Sequence, residues 1–418
     1  WSDYDNDGDL DLYSMNIGLI DQEYDRLTSQ SDVFYKNQLI ETGQAFFTDH
    51  TQEAGNIFGS NYWPEEQNAV VFGETIYYSV TAPENPSSAS SVIKPNDWKN
   101  GEHQDVSIGG TGISWTALMV DLNGDGWDDL RLASDFGYSP LYVNNQDGTF
   151  TLFDNRDSEI IIPGTAMGLD AGDYDGDMDL DICQSNFGPN YLFENNGDFI
   201  FEEMGEEVGL TVGYSGASVT WDCNFIDVDL DGDLDLWFGA GNINPYSTYS
   251  PNMIYLNDGD GNFTIASMNM SKLFHPTGKT MGSIWSDFDK DGDLDVIISE
   301  SNTGLQYFSN NAADNPSNQW IGIDVWEKST HQTNFTIADG AIVDIYLSNG
   351  KTVRQGIKLG SGYAGTKDTT INLGIPDDEV IDKIGITWKD GTYQEYLDLE
   401  VNQYHSFEAV TVYNLEEL

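Results

Sequence analysis

The sequence predicts an all-β protein, a β-propeller of about seven blades followed by a small β-sandwich. Three observations point there: a nine-residue acidic loop that recurs five times, an apolar-rich alternating run directly after each copy, and a tight-turn signal later in most copies. The loops read DYDNDGDLD at 3–11, DLNGDGWDD at 121–129, DYDGDMDLD at 173–181, DVDLDGDLD at 227–235 and DFDKDGDLD at 287–295. The last four begin 52, 54 and 60 residues apart, and the first two 118 apart, about two such periods. A degenerate blade or a long insertion is therefore expected over 56–113, where TAPENPSSASSVIKPNDWKNGEH is rich in Pro, Ser and Asn.

The runs after the loops are LDLYSM, LRLAS, LDICQ, LDLWFG and LDVIIS, which pattern as strands. LYVNNQDGTF, YLFENNGDFIF and IYLNDGDGNF then place apolar residues around Asn/Asp-Gly turns, as tight hairpins require. FYKNQLIETGQAFF at 34–47 is a looser version. Each period thus holds about four short strands and no convincing helix, the content of a propeller blade. A linear β-solenoid is the alternative, and its usually shorter rungs count against it.

The shared pattern is D-x-[DN]-x-D-G-x-x-D. Oxygen ligands at positions 1, 3 and 5 of a tight loop converge on one point, and a carbonyl at position 7 with a carboxylate at position 9 completes a calcium shell. The expected ligands are Asp3, Asp5, Asp7, Asp9 and Asp11; Asp121, Asn123, Asp125, Trp127 and Asp129; Asp173, Asp175, Asp177, Asp179 and Asp181; Asp227, Asp229, Asp231, Asp233 and Asp235; and Asp287, Asp289, Asp291, Asp293 and Asp295. Trp127 has no side-chain oxygen, so position 7 is expected to act through its carbonyl. Position 12 is Ser14, Leu132, Gln184, Phe238 or Ile298, never the bidentate Glu of an EF-hand. Packing several carboxylates into nine residues costs on the order of 1–3 kcal/mol per close pair at an effective dielectric near 20. Five copies in one register argue for a divalent ion that offsets that repulsion, against solvated turns. Met178 stands at position 6, where Gly normally permits a left-handed backbone, so that site is expected to be strained and the weakest.

These residues resemble the FG-GAP/VCBS repeat family, whose blades carry such loops in integrin-α-like propellers. The resemblance is strongest in SWTALMVDLNGDGWDDL and GTAMGLDAGDYDGDMDLDI, spans roughly 1–312 and fails across about 56–113. Residues 313–418 resemble an ASPIC/UnbV domain through NQWIGIDV, GAIVDIYLSNG, LGSGYAG, NLGIP and VIDKIGITWKDG. That family's usual Asn-x-x-Gly-x-Gly-Ala stretch is blurred into TNFTIADGAIV. The pairing of the two families implies a secreted architecture. Short alternating strands separated by SNG, SG and KDG turns independently suit a small sandwich that caps the propeller or binds a glycan or protein.

The 71 acidic residues against 16 basic ones give a net charge of −55, which excludes nucleic acid and anionic membranes as partners. Five calcium ions would bring that only to about −45, so the remaining acidity is solvated surface. Two cysteines, Cys183 and Cys223, rule out a disulfide framework. One bridge and two buried thiols are both open, with thiols the expected state. In either case, the pair should lie close together on adjacent blades. No run of about 18 apolar residues and no signal peptide occur. Trp1 opens within a loop motif, so the true N-terminus is expected upstream.

Five histidines, His50, His103, His275, His331 and His405, form no metal motif, and no nucleophile elbow, Walker loop or dinucleotide fingerprint is present. Trp63, Trp98 and Trp115 could stack on sugars, although burial is the commoner fate of Trp. The expectation is a non-enzymatic, extracellular or cell-surface calcium-binding module with a protein or glycan partner. A structural subunit of an extracellular filament, matrix or surface complex is the alternative, and a carbohydrate-active enzyme is the third reading.

Overall fold

The computed structural model describes residues 1–15, 19–21, 26–28, 32–55, 69–72, 75–78 and 113–411, apart from 136, 154, 156–157, 161–162, 187, 211–218, 242–250, 267–271, 275–278, 302, 330–333 and 377. Of the segment 56–113, expected as a degenerate blade or a long insertion, only the antiparallel hairpin Ala69–Phe72 with Thr75–Tyr78 and the first residue of Ile113–Val120 are described. Trp63, Trp98, His103, His275 and His331 lie outside the described residues.

The fold is all-β, and its larger part is a row of antiparallel sheets. Blade one pairs Leu12–Ser14, Val33–Asn37 and Phe47–Asp49. Blade two comprises Ile113–Val120, Asp129–Asp135, Leu141–Asn144 and Phe150–Leu152. Blade three is Ala166–Gly172, Asp181–Asn186, Tyr191–Asn195 and Phe201–Glu203. Blade four is Thr220–Ile226, Asp235–Ala240, Met253–Asn257 and Phe263–Ile265, and blade five pairs Thr280–Ser286, Asp295–Glu300 and Gly304–Phe308. The looser 34–47 hairpin contains one helical turn, Leu39–Thr42, which the reading from sequence missed. The carboxylate of Asp9 accepts from the Ile40 amide 2.9 Å away, so the acidic loop itself holds that turn.

The first strands of blades two to five contact one another in sequence. Each interior blade is therefore buried on both faces. Strand Asp235–Ala240 shows the consequence: Leu236 and Phe238 pack toward blade three, while Trp237 packs toward blade five. Two buried faces explain why LDLWFG runs more continuously apolar than a half-exposed strand would. Cys183 on the second strand of blade three is joined to Cys223 on the first strand of blade four, with Cα atoms 6.4 Å apart. The proximity matches the expectation; the expected thiol state does not hold, because adjacent blades bring the two side chains within bridging reach.

The C-terminal part is a two-sheet sandwich. One sheet holds Gln319–Ser329, Thr336–Ile337, Ile371–Ile375 and Gln403–Thr411, the last running parallel to the first. The other holds Ile342–Leu347, Thr352–Gly356, Ile381–Thr387 and Tyr393–Tyr396. Ile321, Ile323, Leu373 and Phe407 meet Val343, Ile345, Ile384 and Ile386 in a shared core. The segment between strands Thr352–Gly356 and Ile371–Ile375 leaves the sandwich and enters the propeller. Gly362 donates to Leu169 O at 2.6 Å, Tyr363 to Asp222 Oδ1 at 2.8 Å and Asp368 to Trp285 O at 2.9 Å, while Thr116 Oγ1 donates to Gly362 O at 2.9 Å. One loop thus bridges the first strands of four blades.

Candidate metal centre

In blades two to five the acidic loop connects the first strand to the second. Position 1 follows the first strand directly, and position 9 opens the second. Two left-handed residues per loop make so tight a connection feasible. One is position 6, as anticipated: Gly8, Gly126, Met178, Gly232 and Gly292 all have positive φ. The other is position 4, which the sequence reading did not single out, and there Asn6, Leu230 and Lys290 adopt φ of 52°, 61° and 65°. Met178 holds φ 81° without the freedom of glycine, and Arg354 Nη1 donates to its carbonyl at 2.6 Å.

Each position-1 carboxylate is oriented by amides of its own loop. Asp173 accepts from Gly176 and Met178 at 2.8 and 3.2 Å, and Asp227 accepts from Asp231 and Gly232 at 3.2 and 3.1 Å. Each position-9 carboxylate clamps the loop to the next hairpin. Asp181 accepts from Tyr174 N at 3.1 Å and Asn195 N at 2.8 Å; Asp235 accepts from Val228 N at 3.0 Å and Asn257 N at 2.9 Å. Position-7 side chains turn to other tasks, since Asp293 accepts from Ala313 N at 2.8 Å and Asp233 pairs with Lys351.

Three carboxylate oxygens lie within 4.8 Å of one another in four loops: Asp3, Asp5 and Asp7; Asp173, Asp175 and Asp181; Asp227, Asp229 and Asp235; Asp287, Asp289 and Asp291. The remaining expected ligands, Asp9, Asp11, Asp177, Asp179, Asp231, Asp233, Asp293 and Asp295, lie in the same loops outside these groups. Loop 121–129 assembles no such group among the described residues. Its Asn123 amide instead donates to Asp125 at 3.0 Å, and Gln146 donates to the same carboxylate at 3.1 Å.

The charge state of the clusters is governed by burial. Asp7 is pushed up to about 8 by burial and then by its neighbours Asp5 and Asp9. Burial lifts Asp173 and Asp227 to about 7, Asp235 to about 9 and Asp11 to about 10. Asp3, Asp129 and Asp181 are also raised well above the carboxylate range by burial. One buried oxygen each of Asp5, Asp11, Asp229 and Asp293 accepts no hydrogen bond. Lys36 forms an ion pair with Asp5 and approaches Asp7 at 3.8 Å, the one ammonium that enters a cluster in the described residues. Converging hard oxygens, buried throughout in the first group and at position 1 in the other three, form a set that a divalent cation fits.

The sequence reading overlooked a recurring asparagine that ends the third strand of blades two to four and falls in matching places in blades one and five. Asn144 donates to Asp128 O and, at 2.9 Å, to Tyr4 O of the preceding loop. Asn195 reaches Leu122 O at 2.9 Å, Asn257 Tyr174 O at 2.8 Å and Asn310 Val228 O at 2.8 Å. Asp128 O belongs to the loop of Asn144's own blade; the other four carbonyls, of Tyr4, Leu122, Tyr174 and Val228, are all at position 2 of the preceding acidic loop. The signal was present as the Asn before each hairpin turn.

Loops on one face, blades around an axis and a docked sandwich define a repeat propeller with an appended β-domain. Residues 121–184, 173–238 and 227–298 match the FG-GAP-like repeat family, and 330–412 match the ASPIC and UnbV family. The chain thus carries FG-GAP-like repeats followed by an ASPIC/UnbV domain, and it is similar to cartilage acidic protein 1. It is 26% identical over 274 residues to cartilage acidic protein 1 of Homo sapiens (60% of this chain, 39% of that protein) and 26% identical over 291 residues to that of Xenopus tropicalis (68% and 42%). The chain thus spans about two fifths of the length of these curated relatives. Among solved structures, an Agrocybe aegerita lectin that recognises non-reducing terminal N-acetylglucosamine aligns over 75% of this chain and 82% of its own, at 17% identity and a TM-score of 0.28, too low to bear on fold or ligand.

Proposed function

We propose that this chain is an extracellular or cell-surface interaction module whose propeller is made rigid by calcium, with a protein or glycan as partner. The four groups of three converging carboxylates carry this reading. Asp3, Asp5 and Asp7, Asp173, Asp175 and Asp181, Asp227, Asp229 and Asp235, and Asp287, Asp289 and Asp291 would hold the ions, with carbonyls of position 7 and the position-9 carboxylates completing or bracing each shell. Loop 121–129, rather than the Met178 loop expected to be weakest, is the fifth and weakest candidate, because its carboxylates form no converging group among the described residues; Asp121, Asn123, Asp125, the Trp127 carbonyl and Asp129 are its donors. Bound calcium supplies the positive charge that lets buried acids such as Asp173, Asp227 and Asp235 stay ionised. The disulfide, the net charge of −55 and the similarity to cartilage acidic protein 1 support an oxidising, extracellular setting. Calorimetric titration of the metal-free chain with calcium tests the reading. Four or more equivalents bound support it, and heats equal to dilution overturn it.

A second reading, a subunit of an extracellular filament or matrix, is favoured by one observation. Ile284, Phe288, Leu305 and Tyr307 are exposed together on blade five, with Phe288 and Tyr307 in edge contact at 5.9 Å. Concentration-dependent assembly in sedimentation, abolished by Leu305→Glu, would favour it. In both readings the chain binds and does not catalyse. Turnover of a glycan substrate would overturn that part.

A further inference from the structure

We infer that the C-terminal sandwich is part of the metal loops, so that calcium occupancy and docking of the sandwich strengthen one another. The inference rests on the calcium reading of the loops. Every one of the five loops meets a group from the sandwich. Asp3 N donates to Asp339 Oδ2 at 3.3 Å, Lys389 Nζ to Asp128 Oδ2 at 2.7 Å, and Arg354 to Met178 O. The contacts at the last two loops go further, because they fall on position-1 carboxylates. Gly374 N donates to Asp227 Oδ2 at 2.7 Å, and the Tyr404 hydroxyl donates to Asp287 Oδ2. Asn372 joins them, donating to Gly292 O at 3.3 Å and to the Tyr404 hydroxyl oxygen at 3.1 Å.

The approach is close, backbone to backbone at Gly374 and ring to backbone at Gly292. A Cβ on Gly374 would sit 2.1 Å from the carbonyl carbon of Leu230, and one on Gly292 would sit 2.0 Å from the Trp320 ring. Position 1 lies in the carboxylate group of both loops. In each loop Oδ2 already accepts from the position-6 amide, of Gly232 or Gly292, and a further donor on it from the sandwich restricts the rotation of the side chain toward the metal, as outer-shell partners do in other metal sites. Tyr404 and Gly374 are therefore positioning residues. They touch no ion, but they set the geometry of the groups that would. Coupling of this kind is reciprocal, so an ion in the loop also holds the sandwich in place.

The test uses the full chain, titrated with calcium in the calorimeter. Tyr404→Phe removes one donor to a charged acceptor and is expected to weaken one site by about ten-fold. Gly374→Ala keeps the amide but forces the sandwich away from Leu230, and is expected to weaken a different site. Tyr396→Phe makes the same chemical change on the other sheet, where its hydroxyl meets Gln394, and should leave every affinity unchanged. Hydrogen exchange of Ile342–Leu347 shows that each variant keeps a folded sandwich. In the unaltered chain, exchange of the Ile371–Ile375 amides should slow as calcium rises. Wild-type binding with affinities unchanged in both Tyr404→Phe and Gly374→Ala would overturn this inference alone. No calcium binding by the wild-type chain would overturn the reading of the loops, and this inference with it.

Discussion

Asn257 Nδ2 donates to Tyr174 O at 2.8 Å and to Leu234 O at 3.1 Å, so one buried amide ties the hairpin of blade four to the acidic loops of its own blade and of blade three. The same bond recurs from Asn144, Asn195 and Asn310. It fixes the spacing between neighbouring loops independently of any metal.

Replacing Asn257 by Ala removes both donors and leaves two buried carbonyls unpaired. The expected loss is about 2–4 kcal/mol of propeller stability. Exposed Asn262 is the control, and Asn262→Ala should stay within about 0.5 kcal/mol. Denaturant melts followed by calcium-saturated fluorescence check both.

Calcium removal should have a much larger effect. A ligand that binds only the folded state contributes about 2.7 kcal/mol per site at 100 times its Kd. Several sites rival the roughly 5–15 kcal/mol stability of an ordinary domain. A calorimetric scan with chelator should show the propeller transition lowered by tens of degrees. An unmoved transition would mean that the acidic loops are ordinary turns.

The pH dependence follows from the raised carboxylates. Asp173 and Asp227 hold their protons up to about 7 in the folded, metal-free chain, well above the unfolded value near 4. Groups raised in this way favour the folded state at low pH, and that advantage is lost as pH rises from about 4 through about 7. The chelated chain should therefore melt higher at pH 5 than at pH 8. With calcium the order should reverse, since the ion competes with those protons. Melting curves at the two pH values, with and without chelator, decide it.

Cys183 and Cys223 close a loop with a sequence separation of 40 between the buried faces of blades three and four. The chain-entropy relation gives about 4 kcal/mol for a loop of that size. The double substitution to Ala should lower the propeller melt accordingly, and thiol titration of the unfolded wild-type chain should find no free cysteine.

Met178→Gly should relieve a left-handed residue that bears a side chain. The expected gain is about 1 kcal/mol, read as a higher melting temperature at saturating calcium. A loss would show that side-chain packing of Met178 outweighs the backbone strain.

The sequence by itself determined the blade. Five acidic loops in one register, the alternating strands and the Asn/Asp-Gly turns are local signals, because ligand convergence, strand period and turn type each depend on residues a few positions apart. The candidate ligands and the loop-to-strand placement were legible for that reason. The loop at 121–129 showed the limit of such reading: its pattern fits, yet Asn123 and Gln146 spend their amides on Asp125. What only the tertiary structure decided depends on neighbours distant in sequence. The pairing of Cys183 with Cys223, the reach of each Asn to the loop one blade back, the bridging of four blades by the Gly362 loop and the contact of Tyr404 with Asp287 all depend on how blades and sandwich pack. Packing of that kind is set by the summed burial of two-faced sheets around one axis, and no local motif encodes it.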